Sequence, residues 1–74
     1  MKLGSLITPS CATVHMYKSI ELHLGEYVSP FSFGDFGIVI DTGISPWDVQ
    51  YLKVLLPDGK IGWLRKEKVE EVPI

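Results

Sequence analysis

Residues 49–72 read as a strand, a tight turn, a second strand, one polar helical turn and a short closing strand, with side chains of the first two strands assigned to alternate faces. Such alternation marks extended chain with one face toward a core. Leu52, Val54 and Leu56 share one face of the first segment, and Tyr51, Lys53 and Leu55 share the other. Pro57-Asp58-Gly59 then predicts a tight reversal. Proline presets φ for the second position of a type I turn, aspartate suits the third, and glycine takes the positive φ that closes the turn with a bulge. Beyond it, Gly62 and Leu64 alternate with Ile61, Trp63 and Arg65. The pattern predicts Leu52, Val54 and Leu64 in a core and Tyr51 and Trp63 on a half-covered outer face. It also predicts close approach of another backbone at Gly62. One polar helical turn and a short closing strand bearing Val69 complete this half.

The first half is less regular. Residues 3–8 read as a strand near a sheet edge, ended by Pro9. Residues 10–13 are turn-like. Residues 14–17 and 20–24 are apolar stretches whose spacing fits either a short strand pair or a turn of helix, with Val, Thr, Tyr and Ile favouring extended chain. Gly25, Ser29, Pro30 and Ser32 make residues 25–33 a loop. Residues 33–36 form a turn feeding Gly-Ile-Val-Ile-Asp at 37–41, whose consecutive β-branched residues predict a strand that is central or buried on both faces. Residues 42–48 read as a second loop. Together these elements predict an all-β fold, a small closed barrel of about five strands.

Composition narrows this picture. The chain has 74 residues, so residues 1–74 make one domain. Hydrophobic residues at 46% suffice for a globular core. Ordering that many residues costs on the order of 100 kcal/mol, and a single cysteine, Cys11, allows no internal disulfide. Tight closure or oligomerisation is left to supply the balance. Net charge is −2, from nine acids and seven bases, which gives no electrostatic drive toward nucleic acid or an anionic membrane. No apolar run approaches spanning length and no signal-peptide core follows Met1-Lys2, so the expectation is a cytosolic or virion setting and a whole reading frame.

Tyr51-Leu52-Lys53-Val54 and Gly62-Trp63-Leu64-Arg65-Lys66-Glu67-Lys68-Val69 resemble the distal hairpin and C-terminal strands of SH3-type barrels. The same Asp-Gly-Lys-Ile-Gly-Trp run is similar to that of small SH3-like proteins of phages and bacteria. The resemblance implies a 3₁₀ turn at 65–68, a last strand at 69–72, a long first loop at 9–32 and a second loop at 43–48. It covers the C-terminal half by sequence and the N-terminal half by layout. Peptide-binding members carry proline and tyrosine where this chain has Arg65 and Lys68. Among their ligand aromatics only Tyr51 has a counterpart, with Tyr17 in the right region. The resemblance therefore implies the fold rather than a groove for proline-rich peptides.

Trp47 follows Pro46 in a loop, where it is either an interface anchor or a lid over the open end of the barrel. Tyr51, Trp63, Phe31 and Phe33 either extend an aromatic surface with Trp47 or pack in the core and rim, the latter being the commoner fate of such rings. Tyr17 is a further binding candidate. Cys11, His15 and His23 with Asp35 or Asp41 match no zinc spacing, and Cys11 lacks an evident base, so neither a metal, a cofactor nor a nucleophile is expected. Lys60, Arg65, Lys66 and Lys68 form a basic cluster, but Glu67, Glu70 and Glu71 interleave with it. The reading is a non-enzymatic module that binds a protein partner or itself, through a strand edge or the Trp47 loop. A KOW-like nucleic-acid-associated barrel is the alternative, and cell-wall binding a weaker one.

Overall fold

The reversal at residues 57–59 forms as its chemistry requires. Gly59 has φ +91°, its N–H donates to the Leu56 carbonyl at 2.9 Å, and the Leu56 N–H donates to the Lys60 carbonyl at 2.8 Å. Asp58 Oδ1 accepts from the Lys60 N–H at 3.0 Å. The structure, a computed structural model, describes residues 2–10, 13–18 and 27–73. Within them seven strands form one sheet: β1 (Leu6–Pro9), β2 (Thr13–Tyr17), β3 (Tyr27–Ser32), β4 (Gly37–Ile44), β5 (Gln50–Leu55), β6 (Ile61–Arg65) and β7 (Val69–Glu71). A 3₁₀ turn at Lys66–Lys68 joins β6 to β7. The sheet order is β3-β2-β6-β5-β4-β1-β7. All its pairings are antiparallel. The sheet curls into a half-barrel with edges at β3 and β7, not a closed barrel of five strands.

The concave face holds the core. Ile7, Val14, Met16, Phe31, Val39, Leu52, Val54, Leu56, Leu64 and Val69 are buried together there. Leu52, Val54, Leu64 and Val69 thus converge as their alternation predicts. Gly62 works as expected too: a Cβ there would stand 3.0 Å from Met16 Cβ and 3.1 Å from its Cε. That close approach joins β2 to β6. At Gly37 a Cβ would collide with Val54 Cγ1.

Several expectations need correcting. Residues 25–33 are not a loop, because Tyr27–Ser32 is β3. Its Pro30 is tolerated because β3 is an edge strand, where a missing N–H breaks no central ladder. The long first loop at 9–32 therefore contains the β2–β3 hairpin, which raises the strand count. The apolar stretch at 20–24 lies outside the described residues. β1 starts at Leu6 rather than Leu3 and lies between β4 and β7. Its pairing with β4 stops at Ile7, so Pro9 faces only β7. β4 runs on to Ile44, leaving residues 45–49 as the second loop. β4 is internal to the sheet but buried on one face only: Val39 points inward, while Ile38 and Ile40 are 43% and 38% exposed.

One-sided burial makes a testable contrast. Leu64→Ala should cost about 2–5 kcal/mol and lower the thermal midpoint by on the order of 10 °C or more in a domain of this size. Ile38→Thr, on the opposite face, should change stability by less than about 1 kcal/mol. Circular-dichroism melts of both variants check this, and equal losses would refute the one-sided core.

Candidate functional site

The convex face of β3, β2, β6 and β5 carries the most distinctive side chains. Antiparallel partners point the same way, so the pairs Tyr17↔Tyr27, Tyr17↔Trp63 and Lys53↔Trp63 line up across four neighbouring strands. The row reads Tyr27, Tyr17, Trp63, Lys53. Tyr27 is 51% exposed, and the other three are half-buried. Tyr17 and Tyr27 meet edge to face at 5.9 Å between ring centroids, and His15 meets Tyr27 likewise at 5.6 Å. Lys53 Nζ lies 5.9 Å from the Trp63 ring centroid, within cation–π range.

A second row runs beside the first. β2 and β6 share one registered pair, Tyr17↔Trp63, and beyond it His15 and Arg65 stand on the two sides of a gap between the strands. Arg65 in turn pairs with Tyr51. His15, Tyr51 and Arg65 share the lining of a shallow hollow of about 220 Å³. The Tyr51 hydroxyl, by hydrogen bonding, is the main group pushing the Arg65 guanidinium above its already high range, with a smaller push from Glu67. Like any guanidinium, Arg65 is a fixed positive charge at physiological pH. Its contact with Glu67, 3.5 Å from Nη1 to Oε1, is exposed and weak.

Sheet order also sorts the charges. β2, β6 and β5 carry His15, Arg65 and Lys53 and no acid, whereas β4 and β7 carry Asp41, Glu70 and Glu71 and no base. The acids of β7 stand at the opposite edge of the sheet from the aromatic row.

A separate feature lies in the β4–β5 loop. Ser45 is buried, and its hydroxyl accepts from the N–H groups of Trp47 at 3.3 Å and Val49 at 3.2 Å. Its backbone is bonded to Val49 and Asp48. Asp48 adopts φ +62°, the left-handed region. This knot presents Trp47 to solvent at 65% exposure, beside an equally exposed Ile44.

The aromatic residues singled out from sequence do not form one surface. Phe31 is fully buried in the core. Inward alternation on β3 puts it there, so it has no ring face to offer a ligand. Tyr51 lies on the outer face by register, yet it is only 3% exposed. Gly43 leaves room on one side of it, and Arg65 stands on the other. Trp47 is exposed rather than folded over an open end, and Phe33 is exposed in the turn at the opposite end of β4. Tyr17 and Trp63 do come together. Sequence reasoning missed Tyr27, because its strand read as a loop, and Lys53 as the partner of Trp63. The second was available, since a turn at 57–59 sets residue 53 opposite residue 63.

Cys11 and His23 lie outside the described residues. Among those described, no three His, Cys, Asp or Glu side chains gather as metal ligands. Nor is any helix among them long and apolar enough to cross a membrane. No family model, curated protein or solved structure matches the chain.

The loop knot predicts its own weak point. Ser45→Ala strands two backbone donors in a partly buried loop at a cost of about 1–3 kcal/mol. The thermal midpoint should fall by at least about 4 °C, with faster amide exchange at Trp47 and Val49. Unchanged exchange at those two positions would show that the hydroxyl does not hold the loop.

Proposed function

We propose that the chain is a non-enzymatic interaction module of SH3-like architecture, an accessory protein of phage or bacterial type that associates with itself. Strand order supports the architecture. The β5–β6 hairpin, the 3₁₀ turn and the short β7 follow the layout that the resemblance implies, while the β2–β3 hairpin occupies what that layout gives as a long first loop. A contact role is favoured by the character of the buried polar groups. Among the described residues the buried serines, Ser5, Ser29 and Ser45, are each engaged in a hydrogen bond that serves local backbone geometry.

The observation that carries the reading is Trp47: a large ring, mostly exposed, on a loop whose backbone is already fastened. A rigid aromatic projection binds at low entropic cost, and tryptophan is the residue most enriched among interface anchors. The other route to self-association, pairing of sheet edges, is disfavoured. β3 has Pro30 in mid-strand, and β7 is three residues long with two glutamates.

Light scattering coupled to size exclusion, from micromolar to millimolar protein, tests this. The wild type should gain mass with concentration. Trp47→Ala should weaken self-association by about thirtyfold or more while leaving the thermal midpoint in place. A wild type that stays monomeric to the top of the range would overturn the self-association reading.

A further inference from the structure

Independently of the Trp47 loop, we infer that the convex face of β3, β2, β6 and β5 is a binding site for single-stranded nucleic acid. Two features of that face point to the same ligand. Tyr27, Tyr17 and Trp63 occupy neighbouring strands and span about 10 Å from first to last at ordinary strand spacing. Rings set in a row on a sheet face are a platform for unstacked bases, since every base has a π-face to offer. A duplex has no such face free.

The second feature is charge. Lys53 and Arg65 flank Trp63, one on the neighbouring strand and one two residues along the same strand. Both can reach a backbone that tracks past the ring. Arg65 carries a guanidinium that is charged at any physiological pH, and His15 shares the lining of its hollow. Among the described acids, Glu70 and Glu71 lie on β7, the last strand of the sheet, and Asp58 in the β5–β6 turn has its own partner in Lys60 at 3.8 Å. Asp41, opposite Lys53, closes the row on the β4 side, and Glu67 neutralises part of Arg65. These two acids bound the site to β3, β2, β6 and β5. A polyanion with exposed bases satisfies both features. An uncharged peptide would satisfy only the rings, and a sulfated polymer only the charges.

The test is fluorescence anisotropy with labelled oligo(dT) and oligo(rU) of about eight nucleotides, a length within the range of single-strand sites, at low and physiological salt. In a Trp47→Phe background, emission from Trp63 reports contact with the bases. The expected result is salt-sensitive binding with quenching of Trp63. The Lys53→Glu/Arg65→Glu pair should weaken it at least tenfold and make the slope of log affinity against log salt shallower by about 1.4, for two lost phosphate contacts. Tyr27→Ala should weaken it by about tenfold through lost stacking. Trp47→Ala should leave it unchanged, which separates this site from the self-association surface. Melting curves verify folding, and Lys53→Gln/Arg65→Gln replaces the charge-reversed pair if that pair unfolds. No binding at low salt would overturn the inference. So would affinity and salt slope indifferent to the charge variants. So, finally, would displacement by dextran sulfate without any change in Trp63 emission on oligonucleotide addition.

Discussion

The architecture depends on the crossing of β2 over Gly62. The β2–β3 hairpin is attached to the rest of the sheet through one registered pair, Tyr17↔Trp63. That pairing exists because residue 62 has no side chain to hold the strands apart: Met16 already occupies the space a Cβ would need. The same contact has two consequences on opposite faces. Inward, it lets Met16, Val14 and Phe31 join Leu52, Val54 and Leu64 in one cluster. Outward, it sets Tyr17 beside Trp63 and brings Tyr27 into line. A larger residue at position 62 would disturb the core and the aromatic row together, so the two cannot be tuned separately at that point.

The outer surface follows from strand order rather than from neighbours in sequence. Arg65-Lys66-Glu67-Lys68 and then Glu70-Glu71 look like a mixed, self-cancelling run. The 3₁₀ turn at Lys66–Lys68 divides it: Arg65 stays on β6, third in the sheet, and the two glutamates go to β7, the seventh strand and the far edge. Net charge describes the molecule as a whole and does not show how its charges are sorted among the strands.

Where the sequence was legible, local chemistry and global packing agreed. Pro57-Asp58-Gly59 fixed a turn, the turn fixed a register, and the alternation of Leu52, Val54 and Leu64 fixed which face is buried. The 3₁₀ turn and the last strand stood within a residue of their expected places. The failures share a cause: each needed knowledge of what lies beside a segment. Pro30 and its serines read as loop because proline is hostile to a central strand, and nothing local announced that β3 sits on an edge. Tyr51 follows the alternation onto the outer face. Its partners across the sheet, Arg65 and Gly43, come from two other strands. The run of β-branched residues at 38–40 suggested cover on both faces, but the curled sheet is a single layer with its core on one side.

That single layer also explains where contacts with other molecules can form. An open half-barrel has two free edges, and unprotected edges invite indiscriminate pairing. Here the edges are blunted, one by Pro30 and the other by shortness and the charges of Glu70 and Glu71. What remains for recognition is side-chain surface. The Trp47 tip is held by Ser45 at one end of β4, and the convex face is ordered by strand register across the first four strands of the sheet. Both are fixed by backbone hydrogen bonding before any ligand arrives. A chain of this size, with little stability to spare, cannot draw heavily on its folding free energy to order a loop on binding. Rigid display of a few rings and charges is the mode of recognition such a fold can sustain.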